Sequence, residues 1–478
     1  SSSEVQRWCA YAYDIMSRSL QAAAIAVLAI IVAIVLRARA RRRAEPVPGW
    51  DSSPFKPLQI QWEDSPWVKH RAPLGHAAAF EVMAVDARED LALEPFFRFT
   101  VRPAEQPMLF EDLLSLPNVM LFALDTRLPG LLLLVEVDDW VAVYDEPFLD
   151  RAIPRHAGRR VWTVRVDELE QWAASKTVKP TIWVWNSGRC GSTLLHRLLS
   201  DVQVASVKEP VWMDTLALTR NQSAPHLTQE YVDRLFNVAY AVEAHIVGRV
   251  FPAAKMMSMN GKSFGFRIID SVMRNYPDHK HLYLYRSPDE VAQSFTRSVL
   301  PSAGPLIRLL GTSELLAPLA LAIKPSSSRA MALMSAKMQQ LDAEGLPIVS
   351  HAFSKHFVEP VLDGFAYWLE HVHGRANALS LRYKELTAKD VALRRRVVHG
   401  LLSWVFDRTP IDEEMDAAMV TFSKDSQANS AMSKSNATRW EATYRLSPRV
   451  MEQLREAGKL VSVVGEADFV IPGSLLVS

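Results

Sequence analysis

Gly188-Arg189-Cys190-Gly191-Ser192-Thr193 is the stretch of this chain whose residue types and spacing best suit chemistry. It follows an apolar, β-prone run that begins at Thr181. It leads into Leu194, Leu195, Leu198 and Leu199, spaced for one face of a helix. A Gly-containing turn between strand and helix aims several backbone N–H groups at one point, and the positive end of the helix dipole adds to them. Such a turn suits a phosphate or a sulfate. A Walker-type loop would follow its last Gly with Lys and then Ser or Thr. Here Ser192 and Thr193 follow Gly191 directly, and the cation stands earlier, at Arg189. Alone, the segment reads either as an anion loop or as a structural turn.

A second segment repeats the design. His281-Leu-Tyr-Leu-Tyr-Arg286-Ser-Pro ends an apolar strand in a cation, and Pro288, Asp289 and Glu290 carry helix-start signals. Arg286 would then sit at the carboxyl end of a strand, where ligands bind in open α/β sheets. Ser294 lies eight residues on, about two helical turns along. By itself this too reads as a buried strand with a surface Arg.

Together the two segments resemble the sulfotransferases that use 3′-phosphoadenosine-5′-phosphosulfate (PAPS). The resemblance implies that Arg189, Cys190, Gly191, Ser192 and Thr193 hold the 5′-phosphosulfate, and that Arg286 and Ser294 hold the 3′-phosphate. Val207-Lys-Glu209-Pro210 is similar to the Glu-Pro turn of carbohydrate-type members. Arg382-Tyr383-Lys-Glu385-Leu386 is similar to their Arg-Tyr-Glu-x-Leu strand end, although Lys384 intervenes; Tyr383 would lie near the adenine. Lys434 and Arg439, in a late polar loop, would close over the 3′-phosphate. The likeness spans residues 179–445. It implies an α/β fold with a P-loop-like parallel sheet flanked by helices, and transfer of a sulfuryl group from PAPS to an acceptor hydroxyl, with no metal.

The chain also departs from that family. Cys190 replaces the usual Ser of the first loop, and no His follows the cation in Phe266-Arg267-Ile-Ile-Asp270, where cytosolic members carry their base. By resemblance to carbohydrate-type members the base role falls to Glu209; a Glu held at a turn for structural reasons is the alternative. Two other classes stay open: a P-loop kinase or NTPase, against which the missing Lys counts, and an inactive sulfotransferase-like binding protein.

Composition sets outer bounds. Across 478 residues, 54 Lys and Arg oppose 53 Asp and Glu, for a net charge of +1. Nucleic-acid domains usually carry a clear basic excess, so a nucleic-acid partner is not expected. The chain has no Cys-x-x-Cys or His-Glu-x-x-His run to suggest a metal site.

The elements that must position these residues fall into four stretches. Residues 1–45 hold an uncharged apolar run, Leu20 to Leu36, followed by Arg37, Arg39, Arg41, Arg42 and Arg43. As a helix it would span roughly 26 Å, close to the ~30 Å hydrocarbon core, so a single membrane anchor is expected. The Arg cluster after it favours a cytosol-facing domain, against the Golgi membrane and lumenal placement of carbohydrate-type members. Residues 46–74 are Pro-rich and read as an extended linker. Residues 75–178 form an accessory α+β region. In it Leu131–Val137 and Trp140–Tyr144 read as a hairpin across Asp138-Asp139, with Val161–Val166 a third strand. Residues 179–478 form the sulfotransferase-like domain. Its helical insert, with apolar 306–323 and Met-rich 330–341, offers either an acceptor pocket or plain core. Nothing in the sequence names the acceptor beyond its hydroxyl.

Overall fold

The computed structural model describes residue 62, residues 65–299 apart from 87–94, 105, 128, 147–148, 220–225 and 264, residues 352–423, and parts of 446–475. The apolar run 20–36, residues 306–323 and 330–341, Lys434 and Arg439 all lie outside the described residues. Among those described, no helix is long and apolar enough to cross a membrane. The chain divides between Val68 and Lys69, and both sheets belong to the second unit. Within the stretch expected to be extended, Pro66–Lys69 is instead a helical turn.

The first sheet is antiparallel. Its strands are β1 (His76–Val85), β2 (Phe99–Pro103), β3 (Met108–Leu109), β4 (Val119–Asp125), β5 (Leu131–Val137) and β6 (Ala157–Arg165). They run in the order β2-β1-β6-β5-β4, with β3 beside the first two residues of β1. Between and after these strands come α1 (Phe110–Ser115), α2 (Trp140–Asp145), α3 (Leu149–Arg155) and α4 (Val166–Ala174). All of β4 is buried, and β5 is buried except at Glu136. That double burial explains why Leu131-Leu-Leu-Leu-Val shows no alternation.

The expected hairpin across Asp138-Asp139 does not form. Trp140-Val-Ala-Val-Tyr144 is helix α2, and β5 pairs with β4 and β6 instead. The reason is local. The Asp139 carboxylate accepts the Ala142 N–H at 3.1 Å and so caps the helix, an interaction typically worth ~1 kcal/mol. β6, arriving later in the chain, takes the edge of β5 that a hairpin partner would have used.

The second sheet is parallel, with five strands: β7 (Thr181–Asn186), β8 (Ala205–Lys208), β9 (Met257–Asn260), β10 (Lys280–Tyr285) and β11 (Ala378–Arg382). Its order is β11-β10-β7-β9-β8, and every pairing is parallel. This is the α/β sheet flanked by helices expected from the sequence. The chain leaves β7 to build one side, then returns to build the other, so β7 stands at the topological switch point. Open α/β sheets bind their ligands at such a point, beyond the carboxyl ends of the strands.

The crossovers are α5 (Ser192–Asp201), α6 (Val211–Thr219), α7 (Gln229–Val250), α8 (Ile269–Asn275), α9 (Pro288–Val299) and α10 (Ala352–His371). After β11 follow α11 (Tyr383–Leu386), α12 (Val391–Phe406) and α13 (Asp412–Thr421). The two faces of the parallel sheet differ. Ile182, Val184, Leu282, Leu284 and Leu381 form an aliphatic face, covered by Leu194, Leu195, Leu198 and Leu199 of α5 and by Val397, Leu401 and Val405 of α12. Each such side chain contributes roughly 1.5–3 kcal/mol when fully buried. The other face is aromatic. Trp183 and Trp185 stack on each other, and Trp183 meets Phe236 and Tyr240 of α7. Tyr283 stacks on Trp368 of α10. Both indole nitrogens on this face find partners: Trp183 Nε1 donates to His279 Nδ1 and Trp185 Nε1 to His281 Nδ1, both at 3.1 Å. Burial pushes those imidazoles down to about 4 and about 3, so both are neutral core residues at pH 7. Helix α7 serves both sheets, because Arg249 near its carboxyl end donates to the carbonyls of Leu114 and Val119.

Candidate functional site

All five parallel strands end in polar or charged residues at one edge. The loop after β7 organises that edge. Asn186 Oδ1 accepts the Gly188 N–H at 3.0 Å, while its Nδ2 donates to the Gly261 carbonyl and, at 3.3 Å, to Asn260 Oδ1. Gly188, Arg189 and Gly191 all have left-handed backbones, at φ of 74°, 51° and 89°. Two of them are the glycines that this conformation favours. Gly191 has a second reason to lack a side chain: a Cβ there would lie 2.7 Å from Tyr383 Cε2. The amino end of α5 opens onto this loop, as an anion site requires.

The second segment closes on the first. The Arg286 N–H donates to Ser187 Oγ at 3.0 Å, and its Nη1 donates to the Arg189 carbonyl at 3.3 Å. Arg189 Nε donates to Ser294 Oγ at 3.1 Å. The Arg286 guanidinium also lies over the Tyr383 ring, 4.7 Å from its centroid. Arg189, Gly191, Arg286, Ser294 and Tyr383, read from three separate stretches of sequence, thus form one cradle. Burial, and then the charge of Arg286, lower the Arg189 pKa to about 10. The carboxylate paired with Arg286 is Glu290, at 3.3 Å and substantially exposed, and such pairs contribute little. An anion seated here would relieve the repulsion between the two guanidiniums.

Cys190 takes a different position from its neighbours. Its side chain is fully buried in the aliphatic cluster under the sheet, and burial raises its thiol to about 11. A hydrogen bond to Ser187 and the charge of Arg286 act the other way, so the buried side chain still touches the loop. Thr193 is also buried, whereas Ser192 is partly exposed at the start of α5, with its carbonyl accepting from Asn260 Nδ2 at 3.2 Å.

Glu209 lies on the other half of the edge. It follows β8, its N–H donates to the Asn260 carbonyl at 2.6 Å, and through Asn260 it connects to Ser192 and Asn186. Its φ is 50°, although Pro210 follows. The residue before a proline normally stays extended, so this backbone holds strain of order 1–3 kcal/mol. Arg189 and Glu209 are two of just four left-handed non-glycines among the described residues, and strain of this kind clusters at functional sites.

Around Glu209 stands a set of charges that sequence reading did not find. Lys262 Nζ contacts Asp214 Oδ2 at 2.7 Å and Asp150 Oδ2 at 3.1 Å. Glu209 is raised to about 7: burial is the largest cause, Lys262 pulls against it, Asp150 and Asp214 add to it, and Lys208 lowers it a little. Burial also raises Asp214, to about 6, against the pull of Lys262. Asp150 feels the same burial, yet Lys262 outweighs it and the carboxyl is held low. Lys262 itself is raised, its three carboxylate neighbours overcoming burial.

Signals for these residues were faint. Asn260 ends, and Lys262 follows, a four-residue strand, Met-Ser-Met-Asn, too short to show periodicity. Asp214 interrupts an otherwise apolar helix, and Asp150 sits in a region without motifs. Among the described residues, no cluster of His, Cys, Asp and Glu fits a metal ion. No model of a known protein family matches the chain, and neither does any curated protein.

Proposed function

We propose that this chain is a PAPS-dependent sulfotransferase. The observation that carries the reading is the meeting of Arg189 with Arg286 and Ser294, 97 and 105 residues away, at the loop between β7 and α5. Two guanidiniums, a hydroxyl and a helix amino end on one loop suit a nucleotide bearing two separate anionic groups. Arg forms strong charge-assisted bonds to such oxygens.

In the proposed reaction Glu209, as carboxylate, takes the proton of the acceptor hydroxyl. The acceptor oxygen attacks sulfur in line while the bond from sulfur to the 5′-phosphate oxygen breaks. The products are the sulfated acceptor and adenosine 3′,5′-bisphosphate (PAP). Charge developing on the leaving phosphate falls to Arg189 and the loop N–H groups. A carboxyl titrating near neutrality suits general-base work at pH 7.

Calorimetry with PAP against ATP tests the nucleotide, and transfer from PAPS to a panel of hydroxyl acceptors tests the reaction. PAP is expected to bind far more tightly than ATP. ATP preference would replace this reading with a phosphoryl-transfer enzyme. Tight PAP binding without transfer would leave a binding protein.

A further inference from the structure

Asp150 belongs to α3, among the helices of the antiparallel sheet, yet its carboxylate ends in the candidate site. Its helix is tied down from the same side: buried Arg98 donates Nη1 to the Asp150 carbonyl at 2.8 Å. Lys262 reaches this point from the turn after β9, and Asp214 meets the same ammonium from α6. A lysine side chain free to rotate loses up to ~2 kcal/mol of rotamer entropy on being fixed, and two carboxylates from different elements fix it. Asp150 Oδ1 and Asp214 Oδ1 are both buried with no hydrogen-bond partner, so each carboxylate is committed to Lys262 through its other oxygen.

We propose that Asp150 is a positioning residue of this site: with Asp214 it fixes Lys262 beside Glu209, so that the antiparallel layer supplies part of the electrostatic setting of the candidate base. The inference rests on Glu209 acting as that base. The groups facing Glu209 are Lys262 after β9, Asp150 on α3, Asp214 on α6 and Lys208 on β8. Lys208 in turn faces Arg197, Asp145 and Glu146. Removing the charge of Asp150 while Asp214 still holds Lys262 eases ionisation of Glu209. Removing Lys262 hinders it. A residue that merely braced the fold would change neither.

The test is the acid limb of the pH profile for sulfuryl transfer. Asp150→Asn should move it lower by about one pH unit, and Lys262→Met should move it higher by a similar amount. PAP affinity in Asp150→Asn should stay within about twofold of wild type, because Asp150 lies apart from the nucleotide cradle. An unmoved limb in folded Asp150→Asn overturns the inference. Should that variant melt below assay temperature, Asp150→Glu retains the charge and should keep the wild-type limb; a shifted limb there overturns it equally.

If the wild-type chain transfers no sulfuryl group, the proposed function fails, but Glu209 can still be followed. The melting-temperature difference made by Glu209→Gln varies with pH, and its midpoint should lie lower in the Asp150→Asn background. An identical midpoint overturns the inference alone.

Discussion

The carboxyl edge of the parallel sheet has two halves with opposite charge logic. Beyond β7, β10 and β11 the side chains are cations and hydroxyls: Arg189, Arg286, Ser294 and Tyr383, drawn together by bonds of 3.1 and 3.3 Å. Beyond β8 and β9 they are three carboxylates around Lys262, with Lys208 as a second cation facing Glu209. The first half holds two like charges close and so invites an anion. The second holds more carboxylates than its two lysines can neutralise and so invites a proton. One edge divided this way can grip an anionic donor on one side and accept a proton on the other. Asn260 ties the halves together, bonding Asn186 and Ser192 on one side and Glu209 on the other.

The sharpest way to break this comparison is Glu209→Gln. If the acidic half serves as the proton acceptor, transfer should fall by roughly two to four orders of magnitude, the usual contribution of a positioned base. PAP affinity should stay nearly the same. Near wild-type turnover would leave the acidic half structural. Within the cationic half the two arginines should separate. Arg189→Ala should lower turnover by about two to three orders of magnitude, as loss of a transition-state donor does, and weaken PAP binding less, because PAP lacks the sulfuryl group. Arg286→Ala should instead weaken PAP binding by about 1.5–3 kcal/mol, the range for bonds to charged groups. Equal losses in both measurements for Arg189→Ala would reduce it to a nucleotide-binding residue.

The two halves were not equally legible in the sequence. Each part of the cationic half sits in a strand–turn–helix signature: Thr181 onward leads into Arg189, and His281 onward leads into Arg286. Periodicity, glycines and helix-start residues mark such joints and so mark β7 and β10, whereas β8 and β9, of four residues each, carry no such signal. The acidic half has no such grammar. Asp150, Asp214 and Lys262 are far apart in the chain, and what makes them matter is burial, which spacing does not encode. The mistaken hairpin has the same origin. Trp140-Val-Ala-Val-Tyr144 carries β-prone residues, but one cap at Asp139 and the later arrival of β6 decided its conformation.

A pH-dependent effect of intermediate size follows from the acidic half. In the folded chain Glu209 titrates near 7, above the usual ~4.3 of an unfolded glutamate. The folded state therefore keeps the proton after the unfolded state has lost it. The associated stability is fully present below the unfolded value and is lost as pH rises through the folded one. Glu209→Gln carries no titration, so its stability relative to wild type should rise between about pH 4 and pH 7 and then level off. The rise should reach roughly 3 kcal/mol. Denaturant unfolding at a series of pH values measures it, and a flat difference would mean Glu209 ionises as easily folded as unfolded.

The smallest expected effect concerns Cys190, and it sharpens the border between the cationic half and the core beneath it. The family resemblance sets Cys190 where a Ser would be usual and so counts it with the binding residues. Its thiol nevertheless belongs to the aliphatic cluster with Ile182, Leu194, Leu195 and Leu282, where it hydrogen-bonds to Ser187 and feels the charge of Arg286. Cys190→Ser, the change towards the family pattern, puts a more polar group into this cluster with Ser187 as its partner and should lower stability by about 1 kcal/mol. PAP affinity should change by less than about twofold, because the side chain is fully buried and a serine keeps the capacity to bond Ser187. Native thiol labelling should agree. A fully buried group raised to about 11 offers little thiolate at pH 8, so alkylation should be slow until the chain is unfolded. Rapid labelling that PAP blocks would instead turn the side chain towards the nucleotide and return Cys190 to the cradle.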